Sequence, residues 1–281
     1  MHHLILFYAN NYCKEECASN YSVKGDTKMA VKVDLNEECE FFTAEGLDEV
    51  IILRLKENLL FRATDLNARD KVLNYFDQVS ITDSIKVVVI MSSPEVKGSE
   101  EYFDFYHRVL SSKLYDKDVH RLHNVFTQII LRIVDLNKIV VHANSGRVIS
   151  LFLNFSLACD YRIIADNTVF QNPYYKLGLV PIGGGAFFLS RRLGRSKALE
   201  ILLSDRDITA DEAMKLGIVD KVVAQDKLEK AALDTARRFA QKPGRSLAGL
   251  KKLINYSMID LKDYMAVEYK ELIKVLETGH Y

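Results

Sequence analysis

Features that would fix a function class at once are scarce or missing. No excess of one charge exists: Lys plus Arg and Asp plus Glu both number 38, a formal net charge of zero. A protein whose main task is gripping a phosphate backbone needs a basic surplus, so nucleic acid is not expected as the principal partner. Cysteine is rare, and Cys13, Cys17, Cys39 and Cys159 are too few and too scattered for a disulfide framework. Cys13 and Cys17 lie four apart, but no second Cys or His pair at zinc-ligand spacing accompanies them, so no metal site is expected. No apolar run approaches the ~18 residues that cross a bilayer. The opening MHHLILFYANNY carries a short greasy stretch without a preceding Lys or Arg or a tidy cleavage site, a poor signal peptide. A reducing, cytoplasmic setting without membrane attachment is the expectation.

What is present suits an ordered globular chain. The 281 residues are 48% hydrophobic and 27% charged, with 13 Gly and 4 Pro, which excludes collagen-like, low-complexity and disordered classes. The length supports one large α/β domain or two small ones with a proper core. Residues 1–28 read as a polar tail, with Met29 as an alternative start, and residues 1–40 are expected to be extended or partly disordered.

Strand and helix patterns alternate after that tail. Val50–Leu55 (VIILRL) and Val87–Met91 (VVVIM) read as strands, the second a continuous run of β-branched residues up to Ile90 and therefore expected in a sheet buried on both faces. Asp65–Phe76 between them has helical spacing, so β-α-β comes first and favours a parallel sheet. Asp118–Leu136 repeats apolar residues at i, i+3, i+4 and i+7 and leads into a strand at Ile139–His142. Asp160–Ala165 and Val169–Gln171 read as further short strands. From Ser196 the pattern turns helical: Thr209–Glu212 and Asp226–Glu229 have capping-box spacing, and amphipathic helices are expected near Leu247–Tyr256 and Leu261–Leu276.

Residues 159–223 carry a more specific signal. Cys159-Asp160, Phe170 with Pro173, Leu177-Gly178-Leu179 with Pro181, Gly184-Gly185, Leu193-Gly194, Ala198-Leu199-Glu200 and the segment Ala213–Val223 occur in that order. This run closely resembles the crotonase (enoyl-CoA hydratase/isomerase) superfamily, and the likeness continues more weakly upstream through Val50–Asn154. The resemblance implies an α/β fold: a crotonase-like spiral of ββα units over residues 41–205, followed by a helical trimerisation region over 206–281. It also implies an acyl-CoA thioester as substrate with no separate cofactor, coenzyme A being part of that substrate, and a homo-oligomer, a trimer or a dimer of trimers.

The shared chemistry of that family is an oxyanion hole, in which two backbone N–H groups hold the thioester oxygen as an enolate forms; such fixed donors are each worth ~2.7–4 kcal/mol. Mapped onto this chain, Gly98 takes the place of the loop glycine and Ser99 supplies one N–H. Leu151 falls where the family has a glycine-rich helix start and supplies the other. Val96, Lys97 and Gly98 fall where coenzyme A would pass. Tyr102, Phe103, Tyr106, Pro173 and Gly184 would line the acyl pocket, although Tyr102, Phe103 and Tyr106 fit plain helix packing equally well. The glutamates that place water in hydratases map to Asn154 and Tyr174, neither of which is a carboxylate. Asn cannot take a proton, and Tyr, with a reference pKa of ~10, is a weak base but a usable acid. Standard hydration by a glutamate pair is therefore not expected.

Each candidate has a plainer counterpart. Tyr174 could protonate an enolate or simply pack; Asn154 could orient substrate or be a satisfied interior amide. His142, ending a buried strand, reads as a hydrogen-bonded core residue rather than a base. Asp104 and His107 share a helix face and read as solvated, and His120 and His123 lack a carboxylate at ligand spacing. Coenzyme A contacts are expected to be weak because the chain stops at Tyr281, where a basic, aromatic segment would begin. Two functions follow: an acyl-CoA enzyme performing isomerisation, decarboxylation or hydrolysis, or a non-catalytic acyl-CoA-binding or assembly protein that keeps the fold alone.

Overall fold

The computed structural model describes residues 34–93, 97–111, 115–204 and 206–278. The expected polar tail, residues 1–28, and Met29 lie outside the described residues, as do Val96 and Tyr281. Residues 34–40 belong to the fold, because Leu35 and Cys39 are buried and strand β1 (Glu37–Glu38) pairs with β2 (Phe42–Leu47). β2 turns back antiparallel into β3 (Val50–Leu55) through Asp48, whose φ of 57° is a left-handed conformation that Asp tolerates in turns.

From β3 the sheet is parallel. The short α1 (Leu59–Arg62) and α2 (Leu66–Ile81) cross over to β4 (Val87–Met91), and α3 (Ser99–Leu110) and α4 (Tyr115–Asp135) cross to β5 (Ile139–Asn144). A second small sheet begins with β6 (Arg147–Ile149), followed by α5 (Ser150–Ala158). The chain then returns to the main sheet as β7 (Tyr161–Ala165) and to the small one as β8 (Val169–Gln171). Helices α6 (Gly185–Leu193) and α7 (Arg195–Leu202) come next, then β9 (Ile208–Thr209), α8 (Ala210–Lys215) and β10 (Lys221–Val223). Three helices close the described chain: α9 (Leu228–Ala240), α10 (Gly244–Asn255) and α11 (Leu261–Thr278). The main sheet runs β1-β2-β3-β4-β5-β7-β10 and the small one β6-β8-β9.

The β-branched strands face apolar surroundings on both sides, as their composition requires. Val88, Ile90, Val140 and Ile164 join the large helical core. Val87, Val89, Val141 and Ile163 face α9, which presents Leu228, Ala232, Ala236 and Ala240 at i, i+4 spacing and so approaches the sheet closely.

The two capping boxes form only in part. Thr209 accepts from Glu212 N at 3.4 Å, but the Glu212 carboxylate turns to Arg206 instead of back to the Thr209 amide. At Asp226–Glu229 no box closes: Gln225–Lys227 is a 3-10 turn, and Glu229 lies 2.6 Å from Arg54. In each case an arginine outcompetes a neutral amide for the carboxylate.

The Cys159-Asp160 pair acts as a structural joint. Asp160 Oδ2 accepts from Val140 N at 2.7 Å and from the buried ammonium of Lys251 at 2.8 Å. Lys251 also donates to the carbonyls of Ile133 and Lys138, which fastens α10 beneath the sheet.

Candidate active site

The carboxyl ends of parallel strands are where open α/β sheets leave room for ligands. Here a cleft opens beyond β3 and β4, lined among others by Leu55, Ser92, Ser93, Glu101, Val148 and Phe152. Leu55, Leu59 and Phe152 also border a narrow, wholly apolar cavity that runs inward past Phe42, Phe76, Phe126 and Phe155.

Two helix starts converge beside this cleft. Lys97 pairs with Arg147 in a parallel bridge, and each strand-like segment then runs into a helix, α3 two residues on at Ser99 and α5 three residues on at Ser150. Gly98 is needed for the first of these turns. Its φ is +62°, and a Cβ there would lie 2.4 Å from Gln171 Oε1 and 2.7 Å from Arg147 Cβ. First-turn amides have no acceptor inside their own helix, so Ser99 and Leu151 both carry N–H groups of the required kind.

The Ser99 amide is engaged. It donates to Gln171 Oε1 at 3.0 Å, and the Ser99 hydroxyl reaches the same oxygen at 3.2 Å. Gln171 faces Ile149 across the small sheet, and its own amide nitrogen donates to Asp207 at 3.0 Å. A neutral carbonyl-type oxygen of the protein thus sits on the donor that the family resemblance assigns to a thioester oxygen.

Leu151 is buried, and its side chain would be 2.9 Å from a Cβ at Gly183. Asn154, one turn along α5, donates to Ile182 O at 2.8 Å, and its amide leaves no space for a side chain at Gly185. The amides of Gly183 and Gly184 are in turn gripped by both oxygens of Glu268 on α11, at 2.7 and 2.9 Å. A carboxylate at the start of α6 also meets the positive end of that helix. His123 Nε2 lies 3.5 Å from Glu268. Gly184 packs on Phe188 and Met265, and Pro173 is buried.

The Tyr174 ring is buried and its hydroxyl donates to Leu202 O at 2.7 Å, at the end of α7. Tyr102 and Tyr106 are buried in the helical core with their rings tilted and 4.6 Å apart, whereas Phe103 is half-buried and stacks on His107. Lys97 is exposed.

Three groups escaped the sequence reading. Glu101, 5% exposed, sits in the cleft wall with Leu60 N at 3.3 Å. Burial raises its carboxyl above the ordinary range despite the Leu60 amide and Lys97, and Glu57 pushes the same way as burial. Glu268 and Gln171 are the other two. A signal existed for both glutamates: Glu101 lies in the buried series Tyr102, Phe105, Tyr106, Val109, and Glu268 in the series Leu261, Met265, Leu272, Leu276. A charge inside an apolar stripe marks a buried, partnered group. Ser92, at the cleft, donates to Asn144 at 2.5 Å beside His142, which is fully buried. Burial and then Arg162 push the His142 imidazole down to about 3, so it is a neutral core residue, as its place in the strand suggests. Among the described residues no cluster of three or more His, Cys, Asp or Glu could hold a metal ion.

Residues 49–276 match the family model for enoyl-CoA hydratase/isomerase, and the chain belongs to that family. A relative described as a probable enoyl-CoA hydratase, echA17, from Mycolicibacterium paratuberculosis is 27% identical over 236 residues, covering 83% of this chain and 88% of its own. Carnitinyl-CoA dehydratase from Citrobacter koseri is 35% identical over 121 residues, 43% of this chain and 46% of its own. The crystal structure of an enoyl-CoA hydratase from Bacillus halodurans superposes with a TM-score of 0.73 at 20% identity, over 84% of this chain and 94% of that one. DspI of Pseudomonas aeruginosa gives 0.68 at 18% identity over 89% and 93%. The fold is therefore the crotonase fold, with its C-terminal helical region.

Proposed function

We propose that the protein binds an acyl-CoA thioester and stabilises its enolate between the amides of Ser99 and Leu151, in a reaction other than glutamate-pair hydration. The observation that carries this is the parallel pairing of Lys97 with Arg147, which sets the starts of α3 and α5 side by side at a cleft backed by an apolar cavity. In this reading the acyl chain enters past Phe152 and must widen the cavity, whose volume is about 30 Å³, the thioester oxygen replaces Gln171 Oε1 on Ser99, and coenzyme A runs outward along Lys97 and Gly98. Asn154 and Tyr174 support the site through the Ile182 and Leu202 carbonyls that they hold. The names of the relatives, a hydratase and a carnitinyl-CoA dehydratase, support a coenzyme A thioester as the substrate class.

Calorimetry with a panel of acyl-CoA thioesters, followed by turnover assays for isomerisation, decarboxylation and hydrolysis, tests the reading. Binding with turnover supports the enzyme. Binding without turnover supports the acyl-CoA-binding alternative, and failure to bind any thioester ends both.

The same proposal includes self-association. Leu253, Ile254, Tyr256 and Ile259 on α10 and the turn after it are 62–77% exposed, a contiguous apolar patch for a second copy to cover. Sedimentation of Leu253→Asp against the unaltered chain checks this, with loss of the trimer expected. A cytoplasmic setting accords with the free thiols of Cys39 and Cys159 and with the lack, among the described residues, of a helix long and apolar enough to cross a membrane.

A further inference from the structure

We propose that Glu101 is the proton-transfer group of this site, removing and returning the proton on the carbon next to the thioester carbonyl. The inference rests on the acyl-thioester reading above and adds the residue that carries the proton, which Asn154 and Tyr174 leave unassigned.

Glu101 stands in the third position of α3, within the first turn that Ser99 opens. It lines the same cleft as Ser92, Ser93, Val148 and Phe152, and Phe152 neighbours Leu151 in sequence. It is 5% exposed. The one hydrogen bond it receives from the backbone comes from Leu60 N at 3.3 Å, a long contact for a carboxylate.

The charged groups around it do not neutralise it. Lys56, on the cleft rim, pairs with Glu38 at 2.8 Å, and Arg62 of α1 with Glu40 at 3.0 Å. Lys97 acts on Glu101 from the start of its own helix and is opposed by Glu57. Burial outweighs the Leu60 amide and Lys97 and lifts the carboxyl above its ordinary range. A carboxyl whose pKa is raised by burial is a stronger base than an ordinary carboxylate and is better suited to take a proton from carbon.

In the forward step the carboxylate of Glu101 takes the α-proton, the C–H electron pair forms the enolate C=C bond, and the carbonyl π pair moves onto the thioester oxygen held by the amides. The reverse step returns the proton to the same carbon or, on an unsaturated chain, to the carbon two bonds further along, which is an isomerisation. No oxidant, metal or second substrate is required.

The plain alternative is that Glu101 only caps α1 through Leu60. Glu101→Gln separates the two, because the amide keeps an acceptor oxygen for Leu60 N but cannot ionise. The probe is 3-hexenoyl-CoA in D2O, with α-proton loss followed by NMR and binding by calorimetry. The native chain is expected to exchange the α-protons, faster as pH rises through the raised pKa of Glu101 and its carboxylate form grows. Glu101→Gln is expected to bind within about 3-fold of native while exchange falls on the order of 100-fold, and Glu101→Asp to restore part of it. Exchange that persists in Glu101→Gln overturns the assignment, as does a native chain that binds the thioester and exchanges nothing between pH 5 and 9. If the native chain binds no thioester, the underlying reading fails first, and the binding measurement identifies that case. Near-ultraviolet circular dichroism of Glu101→Gln checks that the site is still folded.

Discussion

Gln171 occupies the Ser99 amide: its side-chain oxygen lies 3.0 Å from the nitrogen that would otherwise be open at the start of α3. An acyl thioester must displace that oxygen before its own can be bound, so the exchange of acceptors takes part of the binding energy. Gln171→Ala removes the competitor, and affinity for an acyl-CoA is expected to improve about 2- to 10-fold, the range of one net hydrogen bond. Unchanged or weaker binding by calorimetry would mean that Ser99 does not receive the ligand.

Glu268 governs the glycine turn from a distant part of the chain. Replacing it with Ala leaves the buried amides of Gly183 and Gly184 without acceptors, an expected loss of about 2–4 kcal/mol. For a chain of this size that lowers the melting temperature by on the order of 10 °C. Glu268→Gln keeps one acceptor and should fall between the two. Thermal unfolding of the three proteins gives the ranking.

His142 makes stability depend on pH. Its folded pKa, about 3, lies well below the ordinary 6.5, so below pH 6.5 the unfolded chain takes up a proton that the folded chain refuses. The contribution of His142 is complete above pH 6.5 and is lost as pH falls toward 3, with a slope of up to about 1.4 kcal/mol per pH unit. Denaturant titrations from pH 7 to pH 4 should show this slope, and His142→Gln should flatten it.

Tyr174 offers a direct comparison with Glu101. Tyr174→Phe deletes the hydroxyl that donates to Leu202 O and should cost about 1 kcal/mol of stability, while any turnover stays within about 3-fold of native. A loss of turnover by 100-fold with stability intact would instead make the phenol the acid.

Val87–Met91 was legible to the residue, because a run of β-branched side chains suits only a strand covered on both faces, and α9 and the helical core do cover it. Ser99 and Leu151 are named by the family resemblance alone; the segments that lead into their helices pair at Lys97 and Arg147. Gln171 was not legible: nothing local to a strand-end glutamine says that its side chain crosses β6 to reach another helix. The capping boxes form only in part for a related reason, since cap-to-glutamate spacing cannot reveal that Arg206, just ahead of the first box, and Arg54, far away on β3, compete for the glutamates. The buried glutamates stand in plain apolar series, but a single sequence does not name the partners, Leu60 N for Glu101 and the Gly183 and Gly184 amides for Glu268, that make their burial tolerable.

Lys251 gives the C-terminal helices a second meaning. Its ammonium pairs with Asp160 and donates to two carbonyls, Ile133 in the last turn of α4 and Lys138 just before β5, so a chain cut before residue 251 would leave the Asp160 carboxylate without its cation. The helices therefore cannot be trimmed away without loosening the sheet, because Lys251 of α10 is part of what holds β5 and Asp160 in place.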